Sequence, residues 1–572
     1  MFSEKAAALR QSAIAIAVFW FAGMPLLFVF YGAIRSSTGD GGLTGEHLRK
    51  VFLTGEYLTP LMNTIELAAY AGLIATLIGT AIAWIMSRID LPRKEIMEIG
   101  IMAPIFISPF IGAIGWITLC QPSSGMLNVL LASLGLPEFN AFSYGGTVAI
   151  MALYFAPYAY AMLRHSIDRL NPEMEEASAT SGANKFRTLI SVTVPLLWPS
   201  LLSALIFTFM LSAEMFSIPG ILLAPQGFEV LSYRVYALTT QFPVNYSEAA
   251  AAGLLLLLLT LVGIAIYAWF TRVQERFMSV GPKTARQQGA RGGPAIKTIG
   301  MFLILFFILV SVVLPIAAIA LRSLLTYFSG TFSFSDLSLQ NIKSALNDEL
   351  VLRSMRNSIF VTVISCILLS IISFLVALAK VRRRDMISRA TSLLASLPIA
   401  VPGVLFGVGL LWQYIGTPVY ATVWILILVM LARFLPMMVR MFETALIQIG
   451  KELEEAAAVC GASEWTITLR IRLPLLLGTI RSAMAVGGAQ VFNELTASAL
   501  LFTSSSSVLP VVVYSYMFDG DYSRASAVAM FQIGFLIVGF TLISLGTRQR
   551  RRASALELDR EFRAASDTPV SS

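Results

Sequence analysis

An ionisable side chain inside an apolar run costs about 2.5–3.5 kcal/mol at mid-bilayer on insertion scales, so such residues are functional candidates by default. Three carboxylates stand out. Glu66 follows the start of an apolar run, Glu214 lies in LSAEMFSIPGILL, and Glu494 lies in VFNELTASALLF. Gln490 and Asn493 sit beside Glu494, so a polar wall is expected there. Side chains of this kind can line a path along which a solute slides with weak contacts. They can equally cap backbone amides where a helix breaks, before Pro219 or near Thr496. Both readings stay open for Glu214 and Glu494. Glu66 is read as structural, because a carboxylate near a helix start is favoured by the helix dipole. Arg433 and Arg481 are expected to snorkel or to face a cytoplasmic gate.

Other chemistries find no residues. The chain has two histidines, His47 and His165, too few for a His-based zinc or catalytic site. Cys120, Cys366 and Cys460 show neither ligand spacing nor an even framework. There is no H-E-x-x-H and no convincing Ser/His or Asp pair. No G-x-x-x-x-G-K-[ST] phosphate loop occurs, so no nucleotide site and no cofactor of its own are expected in this chain.

The most specific pattern occurs twice. EEASATSGANKFRTLISVTVP spans 175–195, and EEAAAVCGASEWTITLRIRLP spans 454–474. In each, a Glu-Ala pair (Glu176-Ala177, Glu455-Ala456) is followed by a glycine six residues after the Glu (Gly182, Gly461). A proline then comes thirteen residues after the glycine (Pro195, Pro474). Glu-Ala stretches have high helix propensity. The glycines would allow a backbone turn that a Cβ opposes, and the prolines suit the first turn of a following helix.

The elements around these residues are membrane spans. Of 572 residues, 57% are hydrophobic and 13% charged, and mean hydropathy is +0.77. A soluble domain carries roughly a quarter charged residues, and a bilayer core takes roughly 20 apolar residues per helix. Apolar runs predict spans at 13–34, 62–86, 97–119, 146–163, 196–217, 249–270, 299–321, 357–379, 391–412, 419–439, 475–493 and 525–546. The first is too long for a signal-peptide core and lacks a clear cleavage site, so it is read as a retained helix. With a cytoplasmic N-terminus, 30 of the 41 Lys and Arg fall on the cytoplasmic side and 9 outside. That bias fixes the orientation, N- and C-termini cytoplasmic. It also accounts for the net charge of +8 without nucleic acid: the basic runs lie beside anionic lipid of the bilayer.

The spans repeat. NTIELAAYAGLIATLIGTAIAWIMSR from Asn63 parallels NSIFVTVISCILLSIISFLVALAKVR from Asn357, each ending on a basic residue, Arg88 and Arg382. Pro104 and Pro398 keep that offset of 294. Pro157/Pro436, Glu176/Glu455, Gly182/Gly461 and Pro195/Pro474 share an offset of 279, so the external loop around 120–146 is about fifteen residues longer than its counterpart. The organisation expected is a first six-helix half (1–275), a basic Gly-rich linker (276–297), a second half (298–547) and a C-terminal tail (548–572). Six spans is an even number, so the halves run parallel about an axis along the membrane normal.

The paired loops resemble the EAA loop of binding-protein-dependent ABC importer permeases. The second copy fits fully, with Glu455, Ala456, Ala457, Gly461, Ile471, Leu473 and Pro474. The first departs at Ser178, Val192 and Val194. The segment 493–528 is similar to the ferric-iron branch of fused two-half permeases. The resemblance implies an all-α integral membrane protein of the MetI-like ABC permease fold, about twelve transmembrane helices as two parallel six-helix repeats. It implies a short helix in each loop that docks into an ATP-binding subunit. Two such subunits, carrying the ATP, and a periplasmic solute-binding protein are the implied partners, with no second permease copy. It implies translocation past Glu214, Gln490, Asn493 and Glu494, of ferric iron or else of a phosphorylated organic solute, phosphonate, polyamine or thiamine. An ion-gradient-driven secondary transporter would have no use for the paired loops.

Overall fold

The computed structural model describes residues 11–36, 42–170, 172–277, 293–326, 336–383 and 385–541. The linker at 276–297 falls mostly, and the tail at 548–572 wholly, outside them. Among the described residues the chain is helical, with two isolated antiparallel bridges, Arg35 to Leu43 and Leu325 to Leu337, at matching places in the two halves.

In chain order the elements used below are α1 (Gln11–Ile34), α2 (Leu58–Arg88), α3 (Lys94–Phe106), α4 (Pro109–Cys120), α5 (Tyr144–Asp168), α6 (Pro172–Thr180), α7 (Phe186–Glu214) and α8 (Tyr246–Thr271). The second half continues with α9 (Pro294–Leu324), α10 (Glu349–Arg382), α11 (Met386–Ala400), α12 (Gly403–Tyr414), α13 (Val423–Gln448), α14 (Lys451–Val459), α15 (Glu464–Phe492) and α16 (Tyr522–Thr541). Ten of these are long and apolar enough to cross a bilayer alone. Counting the pairs α3–α4 and α11–α12 as one span each gives twelve.

Those two pairs correct the spans read as continuous over 97–119 and 391–412. They bend by 95° and 114°. The cause is local: Ser108 and Val401 precede Pro109 and Pro402 and adopt extended backbone, ψ 129° and 121°, because a residue before proline is pushed out of the helical region. The fifth and eleventh spans also differ. α7 and α15 begin well before Pro195 and Pro474, and each absorbs its proline after a wide π-type turn, Leu189–Thr193 and Thr468–Arg472. The prolines thus sit inside long helices that run out of the loops.

The halves interlock. α1 packs on α12 of the second half, and α9 packs on α4 of the first. Each crossing brings a proline turn against a glycine. A Cβ on Gly409 would lie 2.4 Å from the Pro25 carbonyl oxygen, and one on Gly115 would lie 2.5 Å from that of Pro315. One apolar core, with Ile114 and Val148 from the first half and Phe406 and Val429 from the second, runs through both halves. α2 and α10, of 31 and 34 residues, are longer than the roughly 20 a bilayer needs. Their C-terminal ends therefore project beyond the apolar zone and carry Arg88 and Arg382 to the two loops.

Candidate functional site

Each loop is a helix, a tight turn and the start of a long helix. α6 and α14 end on a left-handed glycine, Gly182 at φ +84° and Gly461 at φ +82°. The turn closes identically in both. The Gly182 and Gly461 amides donate to Ala179 and Ala458 (3.0 and 2.9 Å), and the Ala183 and Ala462 amides donate to Ser178 and Ala457 (3.1 and 3.0 Å). That is a glycine-terminated helix end satisfying its last carbonyls. Asn184 and Ser463 then cap the next helix, accepting from the Arg187 amide at 2.8 Å and the Thr466 amide at 3.2 Å.

Glu176, Ala177, Glu455 and Ala456 are exposed, whereas Ala457 is half-buried. Leu453 and Val459 add exposed apolar surface beside them. The departure at Ser178 has a partner. Its hydroxyl lies 2.9 Å from Thr188 Oγ1, where the second half has the smaller, apolar Ala457 and the buried Ile467 at the equivalent positions. The pair that shares a hydrogen bond in one copy is apolar in the other.

The preceding glutamate was not singled out by sequence, yet it anchors the loop. Arg88 Nη2 contacts Glu175 Oε1 at 2.8 Å, and Thr193 Oγ1 donates to the same oxygen at 3.1 Å. In the second half Arg382 Nη2 meets Glu454 Oε1 at 2.7 Å, and Arg472 Nη2 meets Glu454 Oε2 at 2.7 Å. Arg382 also donates to the carbonyls of Leu446 and Ile449 (3.2 and 3.0 Å). Burial by itself would push the Glu454 carboxyl up. Hydrogen bonds from Arg472 and Arg382 outweigh that and hold it below its ordinary value. The signal was present in the sequence as the paired Arg88 and Arg382 at the ends of the repeated span. What it lacked was any indication that those ends reach the loops. Phe186 and Trp465, at equivalent places, are large exposed aromatics that sequence reasoning also passed over.

The intramembrane polar residues meet at the seam between the halves. Arg433, expected to snorkel or to face the gate, instead lies between two carboxylates. Its Nη1 is 2.6 Å from Glu214 Oε1 and its Nε 3.7 Å from Glu494 Oε1. Glu214 Oε1 also accepts from the Gly403 amide at 2.7 Å. A Cβ at Gly403 would fall 1.6 Å from Arg433 Nη1, so only glycine leaves room for the guanidinium. Glu494 accepts from the Ala497 and Ser498 amides (3.0 and 3.1 Å) and the Ser498 hydroxyl (3.1 Å). Its side chain is 3% exposed, against 23% for Glu214 and 24% for Arg433. Glu494 is therefore sealed by the turn it caps, while Glu214 and Arg433 retain an open side.

The repeat offset also pairs these residues. Glu214 closes α7 and Asn493 follows α15, at the 279 offset. Glu214 bonds the Gly403 amide just after the break in the second half, and Asn493 Nδ2 donates to the Phe106 carbonyl at 2.8 Å, just before the break in the first. Asn493 Oδ1 accepts from Gln532 at 2.9 Å, and Gln490 lies near the Tyr158 side chain. So Glu214 and Asn493 are the matched pair, each tying its helix to the other half's broken span. Glu66 lies apart, within reach of Tyr144. Among the described residues no group of three or more His, Cys, Asp or Glu is disposed to hold a metal ion.

Residues 71–280 and 367–553 match the family of binding-protein-dependent transport system inner membrane components. With two matched segments over most of its length, the chain belongs to that family. It is 25% identical to a ferric transport system permease protein of Actinobacillus pleuropneumoniae, across 90% of this chain and 74% of that one. It is 22% identical to an Fe(3+)-transport system permease protein of Haemophilus influenzae, across 90% of this chain and 94% of that one. A solved bacterial ABC transporter involved in import of the acidic polysaccharide alginate aligns with 48% of this chain and 98% of its own. Its TM-score is 0.38 at 19% identity. The family match and the ferric-permease relatives make the chain a multi-pass inner membrane permease subunit of an ABC importer.

Proposed function

We propose that this one chain forms the whole pore of a ferric-iron importer, with both permease halves (1–275 and 298–547) joined by the linker at 276–297. Each half docks one ATP-binding subunit through its own loop, at Glu176, Ala177, Gly182 and Pro195 and at Glu455, Ala456, Ala457, Gly461 and Pro474. The observation that carries this reading is the pair of loops. Both are folded alike, both expose the Glu-Ala face, and both are clamped by an arginine from the end of a long span. A chain with two such loops has two docking places and needs no second copy. It has no phosphate-binding loop, so the ATP is bound by separate subunits on the cytoplasmic side, where both termini also lie.

Solute arrives from a periplasmic binding protein and crosses near Glu214, Gln490, Asn493 and Glu494. Closure of the ATP-binding subunits pushes on both loops and biases a two-state pore. The carboxylates there are already held by arginine and amides, which suits weak passage rather than tight capture. Ferric iron is named from the two relatives. The test is reconstitution of the chain with its ATP-binding subunits and binding protein in proteoliposomes. ATP-dependent uptake of ferric iron is expected, with no ATP hydrolysis by the chain alone. Uptake of a different solute with none of iron overturns the substrate, and hydrolysis by the isolated chain overturns the subunit assignment.

A further inference from the structure

A large cavity opens on the second half at the loop end of the spans, between α10, the start of α1 and the first turns of α15. Its volume is about 750 Å³, far above the water-sized voids of a packed interior. Its walls are apolar, with Phe374, Leu378 and Met484 among them, and its mouth carries Arg383 and Trp465. From Ile367 to Arg383 the α10 wall runs about 24 Å at 1.5 Å per residue, the depth of one bilayer leaflet with its headgroup zone.

The charges at this mouth are distributed unevenly. Arg382 and Arg472 are held by Glu454, Glu464 is taken by Arg472 at 2.9 Å, and Asp385 accepts from Gln11 at 2.8 Å. Arg383 is exposed and makes no ion pair with a described residue, although the Asp385 carboxyl feels its charge. An apolar trough of leaflet depth with an exposed guanidinium at its head, in no ion pair among the described residues, matches an amphiphile with a negative headgroup, not a soluble anion or a neutral lipid. Trp465 at the mouth suits the headgroup level, where amphipathic rings settle.

The first half is built differently at the same place. Trp84 stands where the second half has Leu378, and its ring lies under Arg88 at 5.2 Å. Ile89 stands where the second half has Arg383. The first half thus carries a bulkier ring at the Leu378 position and an apolar residue at the Arg383 position.

We propose that this cavity is a binding site for one anionic phospholipid, its acyl chains along Phe374 and Leu378 and its phosphate at Arg383. The site shares Arg382 and Arg472 with the clamp on Glu454, so the lipid braces the second docking loop and not the first. This holds whichever solute is carried.

The test uses the full transporter, extracted from nanodiscs of equimolar phosphatidylglycerol and phosphatidylcholine, with retained lipid counted by native mass spectrometry. Retention of phosphatidylglycerol over phosphatidylcholine by about fivefold is expected, the ratio that a single basic side chain near the surface supplies. Arg383→Gln should bring the ratio to near parity. Leu378→Trp should lower retention of both lipids while the protein remains monodisperse. An unchanged preference in Arg383→Gln overturns the proposal. So does a cryo-EM density in the cavity that is continuous with the chain before Gln11.

Discussion

Gly461 holds a left-handed backbone in open space: apart from its chain neighbours, no atom of a described residue lies within 4 Å of where its Cβ would be. The isolated chain therefore demands glycine only for its φ, which costs an ordinary residue about 1–2 kcal/mol and Asn less. A docked partner would add a second demand, that no side chain intrude. Gly461→Val should lose most co-purifying ATP-binding subunit, because a β-branched residue cannot hold the turn. If φ is the whole requirement, Gly461→Asn retains at least half. Equal loss in both variants would mean that the partner's close approach, not the turn, sets the requirement. A second residue-scale expectation concerns Arg433. Removing one member of a buried pair costs about 3–5 kcal/mol when the other stays charged; here the open side of the cluster pulls the value to the lower end. Arg433→Gln should lower thermal stability in detergent, and adding Glu214→Gln should recover much of it. Failure of that recovery would show that the two charges are not energetically coupled.

These residues also mark how far the sequence is legible. Glu214, Asn493 and Glu494 are visible as costly polar groups in apolar runs. Their division of labour is not, because it depends on which turn each faces. Glu494 spends its oxygens on the Ala497 and Ser498 amides of its own half, whereas Glu214 reaches Gly403 in the other. Arg433 is misread by position alone. Snorkelling is the general habit of arginine near a span end, and here a pair of carboxylates overrides it.

At the scale of elements, hydropathy finds the twelve spans but misses both breaks, and it cuts short the long helices α7, α10, α13 and α15 at one end. A window average stays apolar through Ile107-Ser108-Pro109 and Val401-Pro402, because a bend changes no composition. It also places the start of α7 and α15 too late, since their first turns belong to the polar loops. The link from α10 to the loop is a matter of length. α10 overruns the bilayer far enough for Arg382 to hold Glu454, which makes span and loop one mechanical unit. Arg382→Gln should therefore uncouple. It leaves a buried acceptor short of its donor, at a cost of about 1–3 kcal/mol. ATP turnover by the assembled complex should persist while solute moved per ATP falls. Arg88→Gln should do the same more weakly, because among the described residues Glu175 has only Thr193 besides Arg88, and no second arginine pairs with it. An unchanged transport-to-ATP ratio in Arg382→Gln would reduce the clamp to a passive strut. The clamp is insensitive to ordinary pH. Glu454 is depressed below its usual 4.5, so its contribution is complete above that value and is lost only as pH falls through the lower folded one.

The whole molecule is held together by more than its linker. The first helix of each half lies on the other half, with Pro25 against Gly409 and Pro315 against Gly115. Glu214 to Arg433, Asn493 to the Phe106 carbonyl, and Thr260 to the Ala400 carbonyl at 3.0 Å all cross the seam. A shared apolar core supplies the bulk of the attraction. Cutting the chain between residues 285 and 286 should then leave a working pore: the co-expressed pieces should purify as a one-to-one complex and support ATP-dependent uptake. Gly409→Leu in the second piece separates this from mere co-insertion. The larger side chain drives into the Pro25 carbonyl at the crossing, a contact made by backbone that cannot rotate away, and overpacking of that kind costs about 1–3 kcal/mol or more. In the uncut chain the linker keeps the halves at high effective concentration, so Gly409→Leu should be tolerated there far better than in the split protein. Halves that fail to associate when cut, despite each inserting in the membrane, would show that the linker, and not the exchanged first helices, holds the two repeats in register.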